Sequence, residues 1–255
     1  MHRFYLPPEQ CQEPNLFLTG REAHHAMRVL RLRVGDDVAV FDGAGHEFHC
    51  KIGPHDRDKV RLEPIEKRDL PPLPCQITLI QALPKGKLFE AIIQKATELG
   101  AFRLVPLLSE RVVVHLDSKE SESKAAKWQQ VAVEALKQCG AAWLPKVETP
   151  VTLEAFLSNN TEAFELPLIG SLQPEARHPR TYIESFTAKH GRLPKSAAIW
   201  IGPEGDFTHD EIRTIQASGA QPITLGRLVL RTETAAVYCL SFLHYELQAG
   251  MKSEA

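Results

Sequence analysis

The stretch "IGPEGDF" at residues 201–207 follows the apolar run "AAIW" at residues 197–200 and precedes a polar helical pattern. Glycine lets the backbone approach a ligand closely and adopt conformations that are closed to other residues. Two glycines, a proline and a carboxylate directly after a buried strand therefore make this stretch a candidate binding loop. The alternative is a tight turn before a capped helix.

Two other apolar runs end in glycine in the same way. "LPLIG" ends at Gly170, and "PITLG" ends at Gly226. Because ligands of open parallel sheets lie beyond the carboxyl ends of the strands, we expect Gly170, Gly202 and Gly226 to lie near one another. One such glycine alone is more often an ordinary strand-to-helix turn, whereas three together favour a site.

The residues after the stretch have the spacing of a helix start. Thr208 and Glu211 are three positions apart and precede the helical pattern "HDEIRTIQASG". This is the spacing of a capping box, so the pair is predicted to have a structural role.

From residue 75 onward, strand-like and helix-like segments alternate. The successive segments are "ITLIQAL", "LFEAIIQKATELG", "RLVPLLSERV" and "KAAKWQQVAVEALKQCG", the last with Gly140 as its predicted end. Apolar strands separated by amphipathic helices predict an α/β fold in which a parallel sheet is covered on both faces.

The segment before residue 70 has a different pattern. "DDVAVFD", "EFHCKI" and "DKVRLEPI" predict a small sheet or barrel, and "REAHHAMRVLRLR" is a basic helical candidate. The proline-rich "EPIEKRDLPPLPCQ" indicates a linker. We therefore predict two domains, at residues 1–70 and 71–255.

Composition limits the classes of function. The 30 Lys and Arg nearly balance the 32 Asp and Glu, so any binding to nucleic acid has to come from local patches. The five cysteines are scattered and form no C-x-x-C pair, which indicates free thiols in a reducing compartment. The sequence shows neither a signal-peptide pattern nor an apolar run of membrane-spanning length. We expect a cytoplasmic protein without a membrane partner.

Several common ligand motifs are missing from the sequence. The nearest match to a P-loop, Lys85-Gly86-Lys87, is only a basic turn, and no G-x-G-x-x-G follows the first strand of the α/β segment. The adjacent His24 and His25 point apart in a helix or a strand, and no acidic partner stands at ligand spacing. We predict no metal.

Taken together, four pieces of sequence resemble the RsmE family of ribosomal RNA methyltransferases, which belongs to the SPOUT superfamily. They are "IGPEGDF", "LGRLVLRTETAA", "KATELG" with "SERVV" downstream, and "HRFY" with "HHAMRVLR". The resemblance covers nearly the whole chain, and its specific part is the pair "GPEG" and "LRTETA".

The resemblance implies both a fold and a function. The fold is a small PUA-like β-barrel followed by a SPOUT-type α/β methyltransferase domain with a carboxyl-terminal trefoil knot, in a homodimer. The function is S-adenosylmethionine-dependent methylation of N3 of one uridine in 16S rRNA, at the decoding centre of the small ribosomal subunit.

The resemblance also implies that three loops grip the cofactor. The residues expected in those loops are Leu168, Ile169, Gly170, Ile201, Gly202, Pro203, Glu204, Gly205, Leu225, Gly226, Leu228, Leu230, Arg231, Thr234 and Ala235.

Removing the proton from uridine N3 requires a proton acceptor or stabilisation of the anion that forms. Arg231 and Arg3 are candidates for gripping the target base or its phosphate. Glu204 and Glu233 are candidates for the proton acceptor or for orienting the arginines. The alternative for Glu233 is stabilisation of a helix start by ~0.3–1 kcal/mol.

Basic residues are the candidates for binding RNA. If "HHAMRVLR" is helical, His24, Arg28 and Arg31 lie near one face; a solvated basic face is the alternative. The expected RNA-binding residues are Arg3, His24, Arg28, Arg31, Arg33, Lys85 and Lys87.

The sequence departs from the family pattern at two positions. Ala141 stands where the family usually has an arginine, and Asp206 stands where it usually has another glycine. Asp tolerates a left-handed backbone better than most residues, which would preserve the turn. The departures leave two alternatives open: a SPOUT methyltransferase for another RNA position or a ribose 2′-hydroxyl, and a non-catalytic RNA-binding protein with a decayed cofactor site.

Overall fold

The structure, a computed structural model, describes residues 1–11, 14–56, 58–112, 117–160 and 163–248, with only the backbone of residue 118. The chain forms two compact units. Unit 1 comprises Met1–Pro72 with Val133–Leu144, and unit 2 comprises Leu73–Ala132 with Pro145–Ala255. Within the described ranges, no helix is long and apolar enough to cross a membrane.

Unit 1 contains a five-stranded sheet. Its strands are β1 (His2–Tyr5), β2 (Leu16–Thr19), β3 (Asp37–Phe41), β4 (His46–His55) and β5 (Lys59–Asp69). The order across the sheet is β1-β3-β4-β5-β2; β1 and β3 are parallel, and the other neighbours are antiparallel. The predicted strands before residue 70 are therefore confirmed.

The five strands of unit 1 pack around a hydrophobic core. Alternate residues such as Leu16 and Leu18 in β2, and Val60 and Leu62 in β5, are fully buried, as the two-residue period of a strand requires. All five strands contribute to this core. Such a core fits the predicted barrel, but no ladder joins β1 to β2 in the described part of the chain, so barrel closure stays a prediction.

The basic helix of unit 1 differs from the prediction. It begins as α1 (Gly20–His24), continues as a π-helical turn over His25–Val29, and is followed by Arg31 with a φ of 55°. The wider π turn, in which Leu30 N donates to His25 O at 3.0 Å, changes the angular spacing of the side chains. The regular helix through Arg31 that this prediction assumed is therefore not present, and the shared face of His24, Arg28 and Arg31 stays a prediction.

The end of the longest helix belongs to unit 1. Helix α3 (Ser118–Cys139) places Leu136 in a cluster with Phe41 of β3 and Ala142. Gly140, with a φ of 79°, ends the helix as predicted, and its N–H donates to Leu136 O at 2.8 Å. Because these apolar residues pack with β3, unit 1 includes Val133–Leu144, which the predicted boundary at residue 70 assigned to the second domain.

Unit 2 is an α/β unit with a parallel sheet, as predicted. Its strands are β6 (Gln76–Ala82), β7 (Arg103–Leu108), β8 (Lys146–Val147), β9 (Val151–Thr152), β10 (Leu166–Gly170), β11 (Ser196–Ile201) and β12 (Gln221–Ile223). Its remaining helices are α2 (Leu88–Glu98), α4 (Leu153–Asn159), α5 (Pro179–His190), α6 (His209–Ala217) and α7 (Thr232–Leu247). The order is β12-β10-β11-β6-β7-β8, with β9 also paired to β7, and every pairing is parallel.

This strand order brings segments that are distant in sequence side by side. Strand β10 lies between β11 and β12, so the three runs that end in glycine are direct neighbours. Central side chains such as Ile199 and Trp200 are buried. The Trp200 ring packs edge-on against the Phe156 ring, with 5.2 Å between the two ring centroids. The trefoil knot stays a prediction.

A carboxylate with three donors precedes β10. Glu165 accepts hydrogen bonds from Arg192 Nη1 at 2.8 Å, Arg192 Nη2 at 2.6 Å and the Lys195 backbone N–H at 2.7 Å. These hydrogen bonds lower the pKa of Glu165 from an ordinary value of 4.5 to about 2. The Arg192 guanidinium has the larger effect and the Lys195 N–H the smaller one. The contribution of ionised Glu165 to the stability of the fold is therefore complete above pH 4.5 and is lost as the pH falls towards 2.

We expect Glu165→Gln to lower the free energy of unfolding at neutral pH by at most about 1 kcal/mol, because the ion pair is partly exposed to solvent. The difference from the wild type should shrink as Glu165 becomes protonated. Urea denaturation of both proteins across acidic pH measures this, with the exposed Glu122→Gln as the matched control. A difference that is independent of pH would contradict the assignment.

Candidate functional site

A cavity of about 930 Å³ opens at the carboxyl ends of β10, β11 and β12. Three loops and the first turn of α7 form most of its wall, through residues 170–174, 201–204 and 224–233. Gly170, Gly202 and Gly226 all line this cavity, which confirms that the three glycine-ended strands converge.

The middle loop is closed by Asp206. Its N–H donates to Pro203 O at 2.9 Å, and its Oδ1 accepts from the Phe207 N–H at 2.8 Å. Asp206 has a φ of 61°, the left-handed conformation expected for it. A Cβ on Gly202 would lie 2.9 Å from Asp206 Oδ1 and 3.2 Å from Phe207 N, so the close approach of the two arms of this loop favours glycine at 202.

Helix α6 begins with the predicted capping box. Thr208 Oγ1 accepts from Glu211 N at 3.2 Å, and Glu211 Oε2 accepts from Thr208 N at 2.8 Å. The other carboxylate oxygen, Oε1, accepts from Glu110 N at 2.9 Å, and Arg111 Nη1 donates to Gly205 O. The loop after β7 therefore supports the middle loop of the cavity, a contact that the sequence analysis missed.

A buried polar chain lies beneath the same loop. Gln81 Nε2, at the end of β6, donates to Thr232 Oγ1 at 2.9 Å, and Thr232 Oγ1 donates to Gly202 O at 2.6 Å. Neither Gln81 nor Thr232 was selected from the sequence. A polar residue inside the apolar run "ITLIQAL" was the available signal for Gln81.

Eleven of the fifteen residues expected at the cofactor lie on the cavity wall, and four do not. Leu168 and Ile169 are fully buried within β10 because strand side chains point to the faces of the sheet and not beyond its end. Gly205 and Thr234 are exposed outside the lining. The residues on the wall are Gly170, Ile201, Gly202, Pro203, Glu204, Leu225, Gly226, Leu228, Leu230, Arg231 and Ala235.

Three of the four catalytic candidates line the cavity: Arg231, Glu204 and Glu233. Arg231 is the exposed N-cap residue of α7, and Glu204 Oε1 accepts from the Lys85 N–H at 3.0 Å. The fourth, Arg3, belongs to unit 1, where its Nη1 donates to Gln138 O at 2.7 Å and its guanidinium lies over Gly140. Asp206 and Arg227 also line the cavity, so its wall carries three carboxylates and two guanidinium groups.

All the residues expected to bind RNA are exposed. Lys85 and Lys87 flank Gly86 in unit 2, in the turn before α2. The others belong to unit 1; they are Arg3, His24, Arg28, Arg31 and Arg33. Ala141, which stands where the family usually has an arginine, packs against the apolar cluster around Phe41.

Two models of known protein families match the chain. A model described as an RNA methyltransferase domain matches residues 71–244. A model described as an RNA methyltransferase PUA domain matches residues 18–65.

Two solved structures share the fold over nearly the whole chain. A protein from Legionella pneumophila, solved with the bound cofactor SAM, is 32% identical, with a TM-score of 0.84 over 95% of this chain and 96% of that one. A ribosomal RNA small subunit methyltransferase E from Neisseria gonorrhoeae, bound to S-adenosyl methionine, is 26% identical, with a TM-score of 0.82 over 96% and 97%.

Curated relatives carry the same name as the second of these structures. Ribosomal RNA small subunit methyltransferase E of Synechocystis is 34% identical over 97% of this chain and 78% of its own length. That of Bacillus subtilis is 32% identical over 97% and 98%. With the matches to both domains, these similarities show that the chain belongs to the ribosomal RNA small subunit methyltransferase E family.

Proposed function

We propose that this chain transfers a methyl group from S-adenosylmethionine to N3 of one uridine in 16S rRNA, at the decoding centre of the small ribosomal subunit. The observation that carries the proposal is the cavity at the carboxyl ends of β10, β11 and β12, with Arg231 and Glu233 in its wall. Relatives that are named for small-subunit rRNA, and similar structures that hold SAM, support it.

The residues of the cavity fit this cofactor. A volume of about 930 Å³ lies within the range of small-molecule sites. Leu225, Leu230 and Ile201 offer apolar surface suited to a purine, and the loop backbones offer hydrogen-bonding groups. Carboxylates in the wall suit a ligand that carries a positive charge at sulfur.

When bound, S-adenosylmethionine supplies an electrophilic methyl group on a sulfonium sulfur. The loops hold their ligand in one orientation, which aligns the reacting atoms. Loss of the N3 proton spreads negative charge over the two neighbouring carbonyl oxygens of uracil. The Arg231 guanidinium carries five N–H donors and a permanent charge, and it is the residue we assign to stabilise that anion.

We assign removal of the N3 proton to Glu233. Its side chain makes no hydrogen bond to the residues that the structure describes, whereas Glu204 uses one carboxylate oxygen to hold the Lys85 N–H at 3.0 Å. Glu204 therefore orients the turn before α2, and Glu233 keeps both oxygens available at the cavity wall.

The net charge of the chain is −2, so the chain has no overall positive field that would attract RNA. Local basic patches therefore have to bind the RNA. Arg28, Arg31 and Arg33 are exposed in unit 1, and Lys85 and Lys87 are exposed in unit 2. Such side chains bind phosphates, while the target base has to leave its stack to reach a catalytic cavity. A ribosomal substrate implies a cytoplasmic location.

Three measurements test the proposed function. Calorimetry should detect S-adenosylmethionine binding, and absence of binding at millimolar cofactor would favour a decayed site. Small ribosomal subunits from a strain that lacks the gene for this protein should accept a labelled methyl group from S-adenosylmethionine when the purified protein is added. Because N3 methylation blocks the Watson–Crick edge, reverse transcription of 16S rRNA from that strain should lose one strong stop. An unchanged stop pattern would contradict the N3 assignment. Methyl label that stays on the ribose after the base has been released by cleavage of the N-glycosidic bond would indicate ribose methylation.

We propose that the chain forms a homodimer through α7. Tyr238 and Tyr245 are 48% and 77% exposed and lie seven residues apart, with Phe242 between them, so they share one helix face. We expect Tyr238→Glu/Tyr245→Glu to convert dimers to monomers in sedimentation velocity, because charges would enter an apolar interface.

The control for the dimer prediction is Phe102→Glu, which changes a 48% exposed aromatic residue of the same unit outside α7. Its sedimentation should match that of the wild type. A wild type that sediments as a monomer at tens of micromolar would exclude the dimer, and a double variant that stays dimeric would exclude this face.

A further inference from the structure

Gln81 is a fully buried polar side chain at the carboxyl end of β6. Its Nε2 donates to Ala82 O at 2.9 Å and to Thr232 Oγ1 at 2.9 Å, and it lies 3.5 Å from Ile201 O. Thr232 is only 5% exposed and begins α7. The amide therefore joins the end of β6 to the start of the helix whose first turn lines the cavity.

The chemistry of these groups gives the hydrogen bonds one direction. Backbone carbonyls only accept, so the amide nitrogen of Gln81, not its oxygen, has to face Ala82 O and Ile201 O. The hydroxyl of Thr232 has a single hydrogen. Because Thr232 Oγ1 accepts from Gln81, that hydrogen is available for Gly202 O, which lies at 2.6 Å.

The arrangement is not explained by packing alone. Gln81 Oε1 is buried and has no hydrogen-bond partner among the described residues. A buried acceptor without a partner destabilises the fold, and an apolar residue of similar size would avoid that cost. The side chain therefore places a donor beneath the cavity at the expense of stability, as functional sites often do.

We propose that Gln81 is a positioning residue for the cofactor loop. By donating to Thr232, it directs the Thr232 hydroxyl hydrogen to the Gly202 carbonyl and fixes the orientation of the backbone at residues 201–204. The inference rests on the proposed function, because that loop is the middle one of the three assigned to the methyl donor. Gln81 itself does not line the cavity.

Gln81→Glu tests the direction of these hydrogen bonds with almost no change of shape. An ionised carboxylate cannot donate, so it would take the Thr232 hydroxyl hydrogen and leave Gly202 O without a partner. A protonated carboxyl has one hydrogen to donate to Thr232 and restores the original direction. Burial raises the pKa of such a carboxyl, so a series of pH values from mildly acidic to mildly alkaline compares its two protonation states.

The measurement is the S-adenosylmethionine Kd of the variant divided by that of the wild type at each pH. At the alkaline end we expect a ratio of about 10 or more, which corresponds to one partly buried carbonyl left without this partner. The ratio should fall towards 1 at the acid end. A ratio that does not change with pH would overturn the proposal, since a purely structural role gives no such profile.

Variants of Thr232 provide the matched controls. Thr232→Val removes the hydroxyl and should give a similar loss at every pH, whereas Thr232→Ser keeps the hydroxyl and should bind nearly as the wild type does. The double variant Gln81→Glu/Thr232→Val should be no weaker than Thr232→Val alone, because both act through one contact. Additive losses would overturn the proposal.

A second readout is independent of the cofactor. Amide hydrogen exchange at Asp206, whose N–H is bonded to Pro203 O, reports whether the loop is held in the free protein. We expect faster exchange in Thr232→Val, and in Gln81→Glu at alkaline pH after correction for intrinsic rates. A wild type that does not bind S-adenosylmethionine would overturn the proposed function only, and unchanged exchange in both variants would overturn the role of Gln81.

Discussion

Arg231→Ala should lower kcat/KM for rRNA methylation by about 10²–10³-fold, the typical effect of removing one donor that stabilises a developing anion. Arg231 lines the cavity at the start of α7, and its guanidinium makes no hydrogen bond to the described residues that the substitution would break. The Kd for S-adenosylmethionine should therefore change little. Single-turnover methylation of small subunits, together with calorimetry, separates the two effects.

Three controls sharpen the Arg231 prediction. Arg231→Lys keeps the charge but loses the forked set of donors, and it should recover only part of the activity. Arg213→Ala removes an exposed arginine of α6 that pairs with Asp210, so it tests the effect of net charge alone. A loss in Arg231→Ala that appears entirely in the cofactor Kd would assign Arg231 to the cofactor and not to the uracil anion.

Gly202→Ala should weaken S-adenosylmethionine binding by about 100-fold or more, because a displaced loop loses several contacts at once. The added Cβ would lie 2.9 Å from Asp206 Oδ1, 3.2 Å from Phe207 N and 3.3 Å from Asp206 Cα. Two of these three atoms are backbone atoms, which cannot move away without opening the turn. Calorimetry measures the loss, and the thermal stability of the free protein checks the fold.

The other glycines of the cavity loops give a graded comparison. A Cβ on Gly170 would lie 3.3 Å from the flexible end of Ile201, and one on Gly205 would make an ordinary 3.5 Å contact with Arg111 Cδ. We therefore expect Gly170→Ala to be intermediate and Gly205→Ala to be mild. Asp206→Gly should partly rescue Gly202→Ala by removing the Oδ1 contact. Equal losses at all three glycines would show that close approach within the loop is not the cause.

Local patterns accounted for much of the fold. The strands β3 to β7 and β10 to β12, the capping box at Thr208 and Glu211, and the helix end at Gly140 were predicted from short segments, whereas β1, β2, β8 and β9 were not. Each depends on residues within a few positions of one another, so the information is present in the sequence itself. The π turn at His25–Val29 was not predicted, because the apolar pattern of so short a segment does not distinguish an α-helical turn from a turn with one extra residue.

The candidate site could be predicted in part. Glycines that end apolar strands indicated the loops, because a parallel sheet brings the carboxyl ends of its strands to one edge. Leu168 and Ile169 were expected at the same edge, but the sheet buries them because strand side chains point to its faces. Thr232 lies within the motif "LRTETA", but the motif alone did not indicate its role, because that role depends on a partner 151 residues away.

The sequence by itself determined the α/β class of unit 2, the small sheet of unit 1 and the three loops that carry the binding glycines. Only the tertiary structure decided which groups meet beneath those loops. Strand β6 lies beside β11, which brings Gln81 to Thr232 and Gly202, while Lys85 N reaches Glu204 across 119 residues. The physical reason is that these hydrogen bonds depend on strand order and register, which arise from the packing of the whole sheet.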